Sequence, residues 1–210
     1  MITYFKSAPV WLRKLYPSLI WKIPVKDNRL FLTFDDGPHP TITPFVLEQL
    51  ARYNAKATFF CVGHNIQKYP ETFAQVLAAG HSVANHTFHH VNGWTTPLPS
   101  YVKEYSATEK YTQSHLFRPP YGRITPQQIK AIRKRSRIIM WNKLSADFDR
   151  NCTPQQCLQN TIGKGLNAGD IILFHDSEKA FERLQFALPK TLEYIYQNGL
   201  CSEKINYELC

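Results

Sequence analysis

An alternation of short apolar runs with helix-patterned segments is what most constrains the fold of this chain. Strand-like runs fall at 30–34, 57–62, 82–85, 116–117, 138–141 and 171–174. Helical patterns lie between them at 44–53, 70–79, 101–114, 126–134 and 153–163, with a last one at 184–196; Gly80 is suited to close the second helix and Pro126 to open the fourth. Strands and helices that alternate through short connections predict parallel strands and an α/β architecture. At 210 residues the chain makes one domain with a full core. Six or seven strands suit either a barrel or an open doubly wound sheet. The polar residues favour the barrel: Asp35, Asp36, His86, Arg118, Asp147 and His175 each follow an apolar run at its C-terminal end, the face on which (β/α) barrels build their sites from several strands.

The run Phe31-Leu32-Thr33-Phe34 stops abruptly at Asp35-Asp36-Gly37-Pro38. Its β-branched and aromatic residues predict a strand buried on both faces. Asp-Gly is also a common turn dipeptide, so the pair alone could be a solvated turn. Downstream, Asn85-His86-Thr87-Phe88-His89-His90 carries histidines at i, i+4, which on a helical turn would share one side and grip one metal. His89 competes with His90 as the second ligand, because i, i+3 also shares a face. With an Asp from another strand end, two nitrogens and one oxygen leave a position open for water, as hydrolytic zinc requires.

Arg118-Pro119-Pro120-Tyr121-Gly122 follows the short run Leu116-Phe117. Two prolines stiffen the turn, and an arginine there is suited to hold a carboxylate through two parallel hydrogen bonds. Leu173-Phe174-His175-Asp176 ends the last strand with an imidazole at the same mouth. Together these groups suit amide hydrolysis. A metal can bring the pKa of bound water to about 7 and polarise a carbonyl, and a carboxylate base and an imidazole acid each contribute roughly 10²–10⁴-fold.

TFDDGP, HxxxH within NHTFHH, RPPYG and LFHD, in that order, resemble the polysaccharide deacetylase (NodB-like) domain of the family 4 carbohydrate esterases, over roughly residues 28–198. The resemblance implies a distorted (β/α) barrel of about seven parallel strands that removes N-acetyl groups from amino sugars. It implies one divalent metal ion, Zn²⁺ first, with Co²⁺, Mn²⁺ or Ni²⁺ as alternatives. By motif, Asp35 resembles the general base, and Asp36, His86 and His90 the metal ligands. Arg118 resembles the residue that orients the base, and Tyr121 the donor of a backbone N–H to the oxyanion. His175 resembles the general acid and Asp147 its partner. Pro119, Tyr121, Phe148 and Leu173 are the expected substrate-facing residues. One motif departs: where the family commonly shows Asp-x-x-Asp-Trp, this chain has Leu144 and Phe148 around Asp147, which bears on the shape of the acetyl pocket.

The formal net charge of +9 is unevenly placed. Residues 1–29 hold six Lys/Arg against one Asp, and 123–137 hold six with no acid. Neither patch has a nucleic-acid recognition motif or interleaved stacking aromatics, so no nucleic-acid partner is expected. The partner expected is an N-acetylated amino sugar; a lipid-linked sugar with an acetamido or formamido group, or a carbohydrate-binding domain with a dead site, are the other readings. Basic residues interrupt the apolar N-terminus before a signal h-region can form, and no run reaches a membrane span, so a cytoplasmic chain is expected. Residues 1–27 read as a basic, aromatic segment that either lies on a membrane surface or packs under the barrel. Residues 199–210 read as a polar tail. Five cysteines without paired CxxC spacing argue against a structural zinc knot.

Overall fold

A computed structural model describes residues 14–210. Its elements, in chain order, are β1 (Arg29–Asp35), α1 (Ile42–Arg52), β2 (Ala57–Cys61), α2 (Gly63–Lys68), α3 (Pro70–Ala78), β3 (Ser82–Asn85), α4 (Leu98–Thr112) and β4 (Leu116–Phe117). There follow α5 (Pro126–Ile132), β5 (Arg137–Ile138), β6 (Lys143–Leu144), α6 (Pro154–Ile162), β7 (Ile171–His175), α7 (Phe181–Gln197) and β8 (Cys201–Ser202). All strand pairs are parallel, in the spatial order β5-β4-β3-β2-β1-β7-β6, with β8 added beside the start of β1. This is a curled, incompletely closed (β/α) barrel of seven strands. Helices α5 and α6 start where local chemistry dictates: Thr125 and Thr153 each close a capping box, with Gln128 and Gln156, ahead of a proline at the first turn.

β1 is an inner strand of the barrel wall, flanked by β2 and β7. Its residues alternate as the pleat requires. Leu32 and Phe34 join a core with Val46 and Leu50 of α1 and Leu184 and Leu188 of α7, while Phe31 joins a separate interior core with Phe60, Ile139, Ile171 and Ile205. Each face is therefore dry, which explains why the run reads as continuously apolar.

The path is open between β5 and β6, and the segment before β1 crosses that seam. Ile20 N–H donates to Ile138 O at 2.9 Å, Met140 N–H donates to Ile20 O at 2.7 Å, and Ile23 N–H donates to Gly169 O at 3.0 Å. Leu19, Trp21 and Ile23 are buried against the barrel. Residues 19–23 thus pack against the barrel, while Lys14, Leu15 and Lys26 on either side are exposed; Trp11, Leu12 and the rest of 1–13 lie outside the described residues. The expected tail at 199–210 contributes β8 and the buried Ile205. The expected strand at 138–141 is split, since Met140 pairs with Ile20 and β6 starts separately at Lys143. Among the described residues no helix is long and apolar enough to cross a membrane.

Candidate active site

The mouth of the barrel is built from strand ends that the register brings level. Asp35 of β1 stands directly opposite His175 of β7. Successive residues of a regular strand point to opposite faces, so Asp35 and Asp36 could not both reach one cleft if β1 simply continued. It does not: Asp36 has a φ of 81°. That left-handed turn costs about 1–2 kcal/mol for a non-glycine residue and swings the second carboxylate over the same mouth as the first.

Asp36, His86 and His90 offer three ligand atoms that all lie within 4.8 Å of one another. His90 Nε2 is 3.2 Å and His86 Nε2 4.0 Å from Asp36 Oδ1. The histidine segment is not the helical turn expected from its spacing. Residues 86–90 form an irregular loop in which Thr87 and His90 both adopt positive φ, held by the Asn85 side chain, whose Oδ1 accepts from Thr87 N–H at 2.9 Å. His89 turns away to Glu104, with Nδ1 3.0 Å from its carboxylate, which removes it as the rival ligand.

The tautomer of His86 follows from its partner. Nδ1 lies 2.8 Å from the Arg118 carbonyl, which can only accept, so Nδ1 carries the proton and the Nε2 lone pair faces the cluster. Burial pulls the pKa of His86 down to about 4. Burial also pushes the Asp36 carboxyl up, but the neighbouring imidazoles of His90, His175 and His86 outweigh it and leave Asp36 well below the usual carboxylate range. Asp36 Oδ1 is nevertheless buried with no hydrogen-bond partner. Such an orphan acceptor between two imidazoles is poorly satisfied by protein alone.

Arg118 is fully buried inside the barrel, its guanidinium 4.0 Å above the Phe60 ring. The fork is not shared with one carboxylate as expected. Nη1 donates to Asp35 Oδ1 at 2.7 Å and to Thr33 Oγ1 at 2.9 Å, Nε to the Ile139 carbonyl and Nη2 to the Met140 carbonyl. Burial lowers its pKa against the pull of Asp35, yet an arginine stays charged so far below its ordinary value. Across the cleft, Asp147 accepts from both the backbone N–H and the ring Nδ1 of His175, each at 2.7 Å. Burial works against the imidazolium, and the Asp147 carboxylate, aided by Asp36 and Asp35, prevails; the pKa of His175 rises to about 9.

These groups face a cleft of about 120 Å³ whose lining includes Asp35, Asp36, His86, His90, Tyr121 and His175, with Leu173 and Phe148 on the same wall. The Phe148 ring meets the His175 ring edge-on at 5.1 Å. Tyr121 sits in a 3₁₀ turn with φ 60°, where Gly122 and Arg123 donate their amides to the Pro119 and Pro120 carbonyls. Pro119 itself is buried and does not line the cleft; as a ring locked at φ −71° it shapes the turn instead. The sequence reading passed over Trp141, Lys179 and Asp176. Trp141 and Lys179 line the cleft. Asp176 is buried behind it, and burial raises its carboxyl to about 7.

The fold and the site together define a (β/α)-barrel hydrolase, and comparison places it among known proteins. Residues 22–136 match the family model for polysaccharide deacetylases, and the chain belongs to that family, the family 4 carbohydrate esterases, whose relatives are hydrolytic N-deacetylases. It is 31% identical over 195 residues to a peptidoglycan-N-acetylglucosamine deacetylase of Bacillus cereus, covering 89% of this chain and 92% of that protein. A chitooligosaccharide deacetylase of Azorhizobium caulinodans is 33% identical over 165 residues, or 74% of this chain and 77% of that one. Among solved structures, a peptidoglycan N-acetylglucosamine deacetylase bound to 4-naphthalen-1-yl-N-oxidanyl-benzamide superposes with a TM-score of 0.85 at 26% identity, over 94% of this chain and 95% of that one. A pseudoenzyme of the same family from Bacillus anthracis shares the fold, with a TM-score of 0.79 at 23% identity over 95% of this chain and 71% of that one. Fold alone therefore does not establish activity, and the argument for it rests on the site.

Proposed function

We propose that the protein hydrolyses the N-acetyl amide of amino sugars of the peptidoglycan or chitooligosaccharide type to a free amine and acetate, and that the reaction depends on a divalent ion held by Asp36, His86 and His90. One observation carries this reading: the Asp36–His86–His90 cluster stands between a carboxylate paired with Arg118 and an imidazole paired with Asp147. The residues fit such an ion, since the cluster supplies two imidazole nitrogens and one carboxylate oxygen, and the orphaned Asp36 Oδ1 is left with an acceptor to satisfy. That donor set suits Zn²⁺, with Co²⁺, Mn²⁺ or Ni²⁺ able to replace it. When bound, the ion supplies Lewis-acid polarisation of the acetyl carbonyl and acidifies water.

The remaining steps belong to side chains of this chain. Asp35, kept in place by Arg118, accepts the proton of the attacking water. The Tyr121 backbone N–H is offered to the oxyanion that develops as the carbonyl becomes tetrahedral. His175, protonated at Nε2 while Nδ1–H is held by Asp147, gives its proton to the nitrogen as the C–N bond breaks. Leu173 and Phe148 form the apolar wall for the acetyl methyl. The balance is one amide and one water consumed, one acetate and one amine released. The six groups together also speak against a dead site.

The test is acetate release from chitooligosaccharides, peptidoglycan fragments and a lipid-linked N-acetylamino sugar, before and after chelation and reloading. Release that chelation abolishes and the ion restores is expected. Release indifferent to chelation, or absent from every substrate with loaded protein, overturns the reading.

A further inference from the structure

Asp36 turns its carboxylate toward His86 and His90 only because its backbone is left-handed, so whatever fixes that backbone governs the cluster. Two side chains outside the cleft do so from opposite ends of one peptide. Asn65 Nδ2 donates to the Asp36 carbonyl at 2.7 Å. Asp176 Oδ1 accepts from the next amide, Gly37 N–H, at 3.1 Å. The other Asp176 oxygen, Oδ2, accepts from the Thr43 hydroxyl, which itself accepts from His39 N–H at 2.8 Å. Around these, the Asp176 N–H donates to Asp35 O at 3.1 Å and the Val62 N–H to Gly37 O at 2.9 Å. Asp176 is 1% exposed. The fit is close enough that a Cβ built on Gly37 would lie 2.1 Å from Asp176 Oδ2, so the glycine is there to let the carboxylate reach the amide.

We propose that Asp176 and Asn65 are positioning residues that clamp the Asp36–Gly37 peptide and thereby set how tightly the Asp36–His86–His90 cluster takes a divalent ion. The inference rests on the ion site proposed above. Neither residue touches the reacting atoms. One oxygen of this buried carboxylate takes the amide of the strand-end turn and the other ties that turn to Thr43 at the start of α1; in the β1–β7 register Asp176 follows His175 as Asp36 follows Asp35. Groups that orient ligands in this way are worth roughly 10–100-fold in ion affinity.

The experiment measures Zn²⁺ affinity of the full chain by competition with a chromophoric chelator, alongside the melting temperature of the ion-free protein. The variants are Asp176→Ala, Asp176→Asn, Asn65→Ala and His90→Ala. Asn65→Ala and Asp176→Ala are expected to weaken binding by roughly 10–100-fold. Asp176→Asn, which keeps an acceptor for Gly37 N–H, is expected to stay near wild type. Should Asp176→Ala fail to fold, Asn65→Ala decides, since Asn65 is only half-buried. If Asn65→Ala, and Asp176→Ala where it folds, melt lower yet bind as tightly as wild type while His90→Ala loses the ion, the clamp is structural only and the inference falls alone. If wild type and His90→Ala bind equally, the ion site falls and the inference with it.

Discussion

The two ends of this barrel hold buried carboxylates in opposite states. At the N-terminal end, Asp170 is 1% exposed and fully partnered: Lys22 Nζ at 2.9 Å, Asn142 Nδ2 at 2.8 Å and Asn167 N–H at 3.0 Å. Lys22 belongs to the segment that crosses the open seam, so this cluster fastens the barrel shut. At the C-terminal end, Asp35, Asp36, Asp147 and Asp176 crowd around one cleft, and Asp36 Oδ1 makes no hydrogen bond, with only the His90 and His86 ring nitrogens beside it at 3.2 and 4.0 Å. The backbone is strained there as well, with positive φ at Asp36, Thr87, His90, Tyr121 and Ala146. A satisfied cluster with ordinary backbone is a fastening. An unsatisfied one held by left-handed residues is a site awaiting a ligand, because strain and orphan acceptors persist only where the surrounding structure imposes them. Breaking either end should therefore cost different things.

The largest effect is expected from Asp35→Asn. A carboxamide keeps the shape and can still accept from Arg118, but it cannot take a proton. The kcat should drop by roughly 10²–10⁴ while ion content, measured by atomic absorption, stays at the wild-type level. Loss of ion together with rate would mean that Asp35 is a ligand rather than the base.

His175→Ala is expected to cost a similar factor on amides and much less on activated aryl esters, whose leaving group needs no proton. Comparing the two substrates under one set of conditions is the check. Equal damage to both would remove His175 from the role of general acid and pass it to another group at the mouth.

The opposite end should respond in stability instead. Asp170→Ala strips the acceptor from the buried Asn142 side chain, from the Asn167 amide and from Lys22, at a cost of about 2–4 kcal/mol. For a chain of this size that lowers the melting temperature by roughly 5–15 °C. Well below the transition, kcat should be unchanged. A fall in kcat in fully folded protein would show that the two ends are coupled and undo the comparison.

The same contrast explains what the sequence made legible. Strand ends carrying Asp35, Asp36, His86, Arg118, Asp147 and His175 could be located because charged or imidazole side chains break apolar runs, and a run buried on both faces stands out. The end of α3 followed from Gly80 and the starts of α5 and α6 from Pro126 and from Thr153-Pro154. What stayed hidden depends on backbone conformation and on distant partners. Nothing local in Asn85-His86-Thr87-Phe88-His89-His90 announces two left-handed residues in place of a helical turn. The single-handed grip of Arg118 on Asp35 arises because Thr33 and the carbonyls of Ile139 and Met140 claim its other donors. Asn65 and Asp176 act on a peptide far from them in the chain, and β8 pairs with β1 from the other end of the sequence. Lys22 looked like part of a basic face until Asp170 appeared beneath it.

The smallest effect expected is a shift in pH dependence, and it separates the imidazole at the mouth from the fastening below. Asp147 favours the imidazolium of His175 through its ring contact, so in ion-free protein the folded pKa, about 9, lies above the ordinary 6.5. A donor of this kind is charged below its pKa and lost above it, so the activity that depends on it should decline on the basic side. A cation at Asp36, His86 and His90 disfavours the imidazolium, which places the limb of the loaded enzyme below the ion-free value. NMR titration of the His175 ring should follow that order, ion-free above ion-loaded. Asp147→Asn removes the largest favourable charge, and the basic limb should then move to lower pH by roughly one unit or more. The position of the limb is the readout, not the plateau rate, because a carboxamide also changes how the ring is held. A limb that stays in place, or moves up, would mean that the basic limb reports some other group and that Asp147 does no more than orient the ring. Asp170→Asn, at the far end of the barrel, should leave the limb where it is.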